Sequence, residues 1–405
     1  MANKAEKKRR RIAVVTSSRA EYSHLYWVLR ELQSRASVEV GVITMGAHHS
    51  PVFGATAKEI ERDGFPIVAR VECLLSSDTD TGMAKTIGLA VLGLADALTA
   101  WRPDLLLLIA DRYEMLAPAS VALALRIPMA HIEGGEVSQG AIDDAVRNAL
   151  TKMAHVHFTS TETARRRVMA MGEEPWRVHC AGAPSIDHLK RSKLLRRDEV
   201  EARLSEVAGH GVRLRKPAVL VAFHPLTIAK DTTAEAGEFF AALERVDEAA
   251  AGAQLLFVYP NADAGSNELI RRARELAARR DGLEIFVNLD AVTYWSLLGE
   301  VDVMLGNSSS GIMEAASFAL PVVNVGMRQQ GRERARNVVD VGADRGEILA
   351  GLKLAMSGEF RAGLRGMVNP YGDGKAAVKI ADVLEKADLG GILIKAPARV
   401  AEAGA

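Results

Sequence analysis

The feature that most limits the folds open to this chain is a repeated pairing of a short β-branched or aliphatic run with a helix-length segment. Runs at 12–16, 38–45, 66–71, 105–110, 128–132, 156–159 and 178–181 alternate with such segments. Strands separated in this way do not pair as hairpins. They call for right-handed βαβ crossovers and a parallel sheet with helices on both faces. The pattern restarts at 218–223 and recurs at 254–259, 284–288, 301–305 and 321–325. The expected fold class is therefore α/β, with two Rossmann-like doubly wound domains facing a cleft. The boundaries follow from composition: a flexible basic N-terminus over 1–11, a first domain over 12–190, and a polar, helix-prone linker over 191–216 without strand signal. A second domain fills 217–370. After the break Pro370-Tyr371-Gly372-Asp373-Gly374, a helix within 371–388 crosses back to the first domain, and 389–405 is a loose tail.

Length and charge narrow the class. With 405 residues there is enough chain for two ordinary domains. Lys+Arg and Asp+Glu both number 51, so no net field favours a nucleic-acid partner. The two cysteines, Cys73 and Cys180, have neither disulfide-framework nor metal-ligand spacing, which points to a reducing, cytoplasmic setting. The start MANKAEKKRRR lacks the apolar segment of a signal peptide. No apolar run approaches the roughly 20 residues that span a bilayer. A soluble protein without a membrane partner is expected.

Open parallel sheets bind ligands beyond the carboxyl ends of their strands. Three acidic groups stand at such positions: Asp111 directly after the run 105–110, Glu133 at the end of 128–132, and Asp143, with Asp144, opening the next helix. Carboxylates so grouped suit acid–base work on a small molecule. In the second domain, Gly306-Asn307-Ser308-Ser309-Ser310-Gly311 links a strand to a helix expected over 312–319, offering free N–H groups and the hydroxyls of Ser308 and Ser309 to an anion. An N-cap alone is the plainer alternative. Glu314, one turn further, is placed to grip a pair of ribose hydroxyls or to complement the helix dipole. Arg19, after the first strand, suits a diphosphate. His224 ends a strand and suits a phosphate contact or proton transfer. No dinucleotide fingerprint, P-loop, nucleophile elbow or zinc-helix motif occurs. His155 and His157 alternate along a strand and so point to opposite faces, as structural histidines rather than metal ligands.

With these pieces in place, the chain resembles the hydrolysing UDP-N-acetylglucosamine 2-epimerases, relatives of enzymes that open the sialic and legionaminic acid pathways. The resemblance runs from about Ile12 to Leu384. It rests on SRAEY (18–22), LLSSDT (74–79), DRYEML (111–116), HIEGGEVSQGAIDD (131–144), FHP (223–225), PNADAGS (260–266), GNSSSGIME (306–314) and YGDG (371–374). It implies a glycosyltransferase-B-like architecture, no redox cofactor, no metal and a homodimer or homotetramer. The implied reaction expels UDP by anti elimination to a 2-acetamidoglucal, then adds water with inversion at C2 to give free N-acetylmannosamine. By position Asp111, Glu133, Asp143 and His224 match the family's catalytic residues. Arg19, Ser23, His48, Arg112, Asn261, Ser308, Ser309, Glu314 and Arg328 fall where it holds the nucleotide sugar. Two positions depart: Ala110 stands where relatives usually carry Gly, and His49 where they often have Leu. The same reaction on a UDP- or GDP-linked 2,4-diacetamido-6-deoxy sugar is one alternative. A non-hydrolysing epimerase, a glycosyltransferase of the same fold and a catalytically silent sugar sensor are others. The residues after Arg19 and His224 favour hydrolysis over the non-hydrolysing form.

Overall fold

The computed structural model describes residues 9–51, 54–75, 79–138, 142–226, 231, 233–259, 265–287 and 289–397. They form two compact units. The first comprises 1–136, 143–190 and 371–405, and the second 137–142 and 191–370.

In the first unit seven strands run β1 Arg10–Thr16, β2 Val38–Met45, β3 Ile67–Val71, β4 Leu105–Ile109, β5 Met129–Ile132, β6 Val156–Thr159 and β7 Val178–Cys180. Its helices are α1 Arg19–Gln33, α2 Ala57–Arg62, α3 Asp80–Trp101, α4 Leu116–Leu125, α5 Asp143–Met153, α6 Glu162–Ala170 and α7 Pro184–Arg191. The strands are parallel in the order β3-β2-β1-β4-β5-β6-β7. The run Leu105–Ile109 shows why an uninterrupted aliphatic strand is needed. Leu105, Leu107 and Ile109 pack with Leu25, Val28 and Leu29 of α1 on one face. Leu106 and Leu108 pack with Leu94, Leu98 and Ala122 of α3 and α4 on the other. Each such side chain contributes about 1.5–3 kcal/mol on burial, so both faces of the strand stabilise the sheet.

The second unit begins with α8 Arg197–Ala208 and carries β8 Ala218–Ala222, β9 Gln254–Val258, β10 Leu283–Phe286, β11 Val303–Gly306, β12 Val322–Val325 and β13 Val338–Val341. Its further helices are α9 Ala236–Glu244, α10 Ser266–Ala277, α11 Ala291–Glu300, α12 Ser309–Met313, α13 Arg345–Ala355 and α14 Gly358–Gly363. The sheet is parallel, in the order β10-β9-β8-β11-β12-β13. The strand order therefore reverses at β1/β4 in one unit and at β8/β11 in the other, the positions where doubly wound sheets open a ligand crevice. The last helix, α15 Ala376–Lys386, buries Ala377, Ile380, Ala381 and Leu384 in the first unit's core.

Four features depart from the sequence pattern. Residues 191–216 hold the expected helical stretch, but as packed structure rather than a linker: Val200, Leu204, Val212 and Leu214 are buried, and the Leu195 amide donates to Ser296 Oγ. The half-buried edge strand β13 lies outside the expected strands, although Val338-Val339-Asp340-Val341 is rich in β-branched residues. The tail is held as far as Lys395, since buried Arg177 donates to the carbonyls of Ile392 (2.8 Å) and Ile394 (2.6 Å), and Lys395 to that of Ala154 (2.7 Å). Finally, Thr81–Trp101 within α3 is long and apolar enough to cross a membrane, contrary to the expectation that no segment is. Two charges, Lys85 and Asp96, interrupt the run and mask it in a plain reading of the sequence. Ala90, Leu94 and Leu98 of this helix are fully buried against the sheet.

Candidate active site

In the first unit the chain leaves β4 and β5 through two residues in the left-handed region, Ala110 (φ 58°) and Glu133 (φ 67°). Only glycine adopts this conformation without strain, and such strain gathers at functional sites. It also gives a physical reason for the glycine expected at 110. The turn at Ala110 is fixed from below, because buried His131 donates Nε2–H to the Ala110 carbonyl at 2.8 Å. Burial lowers the pKa of that imidazole to about 4, so it is neutral and structural. Beyond the turn, Asp111 is ion-paired with Arg147 of α5, whose side chain is 2% exposed. Arg147 also donates to the Glu136 carbonyl at 2.9 Å and reaches Asp144 Oδ1 at 3.4 Å. One buried guanidinium thus gathers Asp111, the loop after β5 and the N-terminus of α5. Asp143 and Asp144 occupy the first turn of α5, where the helix dipole favours negative charge. Glu133 is nearly buried, and its Oε1 lies 3.5 Å from His24 Nδ1 of α1. Gly135 (φ 80°) closes the turn, where a Cβ would sit 2.3 Å from the Ala164 carbonyl oxygen.

The end of β1 is organised by buried carboxylates. Glu21 accepts from the Ser17 amide (2.6 Å) and hydroxyl (2.9 Å). Desolvation raises its pKa to about 7 against the opposing pull of Arg112 and the Ser17 hydrogen bonds. Arg112 donates to buried Glu114 at 2.9 Å, so it is already engaged within the protein. Arg19 lies exposed in the first turn of α1. The Ser23 hydroxyl donates to the Ala20 carbonyl at 2.7 Å. His48 is fully buried between the hydroxyls of Thr16 (2.9 Å) and Thr56 (2.7 Å), with its pKa lowered to about 4 by desolvation. In this geometry His48 supports the β1 turn and is not presented to a ligand.

In the second unit the ends of β8 and β11 approach so closely that a Cβ on Gly306 (φ 142°) would meet the Ala222 carbonyl oxygen at 2.1 Å. Next to it, Asn307 Oδ1 accepts from the His224 amide at 2.7 Å, and Asn307 Nδ2 donates to the His224 carbonyl at 2.9 Å. Arg328 and Gln329 both donate to the Asn307 carbonyl, at 3.1 and 2.9 Å. Desolvation, helped by the nearby Arg328 charge, holds the His224 pKa down at about 3, so its imidazole is neutral at physiological pH. Ser308 is the N-cap of α12, with Oγ facing the Ser310 amide at 3.4 Å. Ser310 and Tyr294 share a 2.5 Å hydrogen bond. The hydroxyl of Ser309 makes no hydrogen bond among the described residues. Helix α12 ends at Met313 and tightens into a 3-10 turn, Ala315–Phe318, so the helix expected over 312–319 is shorter and begins earlier. Glu314 is its buried C-cap. Arg332, absent from the sequence reading, donates to the Val137 carbonyl (2.8 Å) and Ser138 Oγ (3.0 Å), which belong to the same unit. Asn261 lies outside the described residues.

Within the first unit Asp111 and Asp144 meet at Arg147, and Glu133 meets His24. Within the second, His224, Asn307 and Arg328 form one cluster. Arg147, His24, Glu21 and Asn307 escaped sequence reasoning. For Arg147 a signal exists: an arginine one helical turn after a paired aspartate is placed to turn back on it.

The family model described as UDP-N-acetylglucosamine 2-epimerase matches residues 30–385. The UDP-N,N'-diacetylbacillosamine 2-epimerase (hydrolyzing) of Legionella pneumophila is 35% identical over 93% of this chain and 96% of its own length. The GDP/UDP-N,N'-diacetylbacillosamine 2-epimerase (hydrolyzing) of Campylobacter jejuni is 35% identical over 82% and 84%. Among solved structures, the UDP-GlcNAc 2-epimerase of Neisseria meningitidis bound to UDP-GlcNAc has a TM-score of 0.78, covering 93% of this chain and all of that one, at 16% identity. The two doubly wound units share the fold of that enzyme, and the chain belongs to the UDP-N-acetylglucosamine 2-epimerase family.

Proposed function

We propose that the protein is a hydrolysing 2-epimerase that releases UDP and a free, C2-inverted sugar from a UDP-linked 2-acetamido hexose. The observation that carries this reading is the acidic cluster at the ends of β4 and β5, where Asp111 and Asp144 share Arg147. Glu133 stands beside His24 in the same unit. Removal of the weakly acidic C2 proton needs a base, and addition of water to the 2-acetamidoglucal needs an acid on the opposite face, so several carboxylates suit the task. In this reading Asp111, Glu133 and Asp143 handle protons around C2. Arg19, Ser308, Ser309 and Arg328 stabilise the departing diphosphate, the larger share of the barrier. His224, neutral, contributes a hydrogen bond rather than a charge. Ser23, Arg112, Asn261 and Glu314 complete the hold on the nucleotide sugar, and His48 acts through the β1 turn.

Two sugars compete. UDP-N-acetylglucosamine, giving N-acetylmannosamine, fits the motifs of the chain. A UDP-linked 2,4-diacetamido-6-deoxy sugar is favoured by a separate observation, since two relatives at 35% identity are named for diacetylbacillosamine. We place the enzyme in the cytoplasm as a homo-oligomer.

Proton NMR in D2O with each substrate decides between them. The expected products are UDP and a free sugar inverted and deuterated at C2, formed faster from the diacetamido substrate. A retained nucleotide sugar or a free sugar of unchanged configuration rejects the reading. Asp111→Asn and Glu133→Gln should each lower turnover by about 10²–10⁴-fold, the usual contribution of a positioned acid or base. UDP affinity, measured by calorimetry, should change little.

A further inference from the structure

The start of α1 and the turn after β4 carry a cluster of charge that proton handling at C2 does not use. Glu21, in the first turn of α1, is 4% exposed, and Glu114, in the turn after β4, is 1% exposed. Arg112 donates to Glu114 Oε1 at 2.9 Å, and its charge also acts on Glu21. Two buried carboxylates thus share one guanidinium, and like charges confined in this way resist full ionisation.

The two oxygens of Glu21 have different surroundings. Oε2 accepts from the Ser17 amide at 2.6 Å and the Ser17 hydroxyl at 2.9 Å, which pins the turn leading to Arg19. Oε1 is buried and has no hydrogen-bond partner among the described residues, and the same holds for Glu114 Oε2. A proton on Oε1 leaves Oε2 a carbonyl acceptor, so the turn keeps both bonds in either charge state. It also removes a buried charge from an oxygen without a partner. Burial carries the Glu21 pKa up to about 7, with Glu114 adding to the rise and Arg112 and Ser17 opposing it. The other titratable groups against this cluster are neutral near that pH. Cys73 and Tyr113 are raised and His48 is lowered to about 4, each mainly by desolvation.

We propose that Glu21 is a charge-compensating residue, taking up one proton from solvent when a nucleoside diphosphate binds beside Arg19 and Arg112. This rests on the proposed function, in which both arginines hold the nucleotide sugar. The arriving negative charge disfavours a second buried anion next to the same arginine, and the neutral acid leaves Arg112 to the phosphates. One proton enters for each diphosphate bound, it goes to Oε1, and no bond to carbon changes. Because the complex holds the extra proton, affinity falls as pH rises above about 7, by at most about tenfold per pH unit.

Calorimetry of UDP binding to the full chain at about pH 8, in buffers of different ionisation enthalpy, counts the proton. At that pH the nucleotide's own phosphate, with a second pKa of about 6, is already ionised. The wild type should take up about half a proton or more per UDP. Its infrared difference spectrum on binding should show a carboxylate band replaced by a carboxylic acid band. Glu21→Gln, neutral at every pH, should bind UDP without uptake, its affinity changing less than about twofold between about pH 7 and 9. Glu114→Gln, which frees Arg112 for Glu21, should reduce the uptake at the same pH, and it serves as the test if Glu21→Gln does not fold. UDP binding with neither proton uptake nor an acid band, or uptake that both variants leave unchanged, overturns the proposal and leaves the proposed reaction standing. A wild type that does not bind UDP overturns both.

Discussion

Arg147 holds the acidic cluster of the first unit together, and its replacement separates two kinds of effect. Arg147→Met removes the charge that Asp111 and Asp144 share. Breaking a buried pair costs about 3–5 kcal/mol, and the partial exposure of both aspartates, 18% and 33%, puts the expected loss at or below the lower end. Urea unfolding should show that loss, with turnover falling by about 10²-fold or more as Asp111 loses its position. Arg147→Lys keeps the charge without the planar fork and should recover stability better than turnover. Ala110→Gly tests the opposite case. A left-handed alanine is strained by about 1–2 kcal/mol, while glycine loses roughly 0.5–1 kcal/mol through backbone entropy, so a gain of up to about 1.5 kcal/mol is expected by thermal melting. A clear loss of stability would show that the Ala110 methyl packs usefully. Asp111 and Glu133 were legible in the sequence because a carboxylate directly after an aliphatic run must sit at a strand end. The pairing of Asp111 with Arg147, and of Glu133 with His24, was not, since it depends on how α5 and α1 lie against the sheet.

At the scale of elements, the turns after the strands are set by close backbone approach. Gly135→Ala adds a Cβ 2.3 Å from the Ala164 carbonyl oxygen at a left-handed φ. Overpacking and conformational strain together predict a loss of roughly 2–5 kcal/mol, measurable as a lowered urea midpoint. The paired glycines of HIEGGE are visible in the sequence, but the tertiary contact behind the second is not. The GNSSSG segment was half-legible. Its serines mark a helix start, yet Ser308 is committed to the cap and α12 is only five residues long. The structural role of His48 was hidden for a related reason, because Thr16 and Thr56, which hold it, come from different elements.

For the whole molecule, the buried histidines set the response to acid. His48, His131 and His155 are lowered to about 4 and His224 to about 3, each mainly by desolvation. Below about pH 6.5 the unfolded chain takes up protons at these sites that the native chain does not, so stability is lost as pH falls towards 4. Each site contributes about 1.4 kcal/mol per pH unit once its unfolded form is protonated. Glu21, raised to about 7, acts in the opposite sense, since between pH 4.5 and 7 the native state holds the extra proton. Four sites outweigh one, so the urea midpoint should fall steeply from pH 6.5 to 5, and a flat midpoint would contradict the burial of these imidazoles.

Both sheets were legible as parallel and doubly wound from strand spacing alone, whereas the membership of 191–216 and of the tail was not. Polar helices such as α8 and hydrogen-bonded coil carry no strong periodic signal. The unit boundaries bear on the order of synthesis. The first unit draws on segments before and after the second, with α15 and the Arg177-bound tail completing it around an intervening 191–370. On the ribosome, α1 therefore emerges long before the helix that covers Leu25 and Leu29, and an apolar groove stays open while the second unit is made. The second unit, nearly continuous in sequence, can close first. The first can close only once α15 has been added, so until then the newly made chain presents apolar surface of the kind chaperones bind.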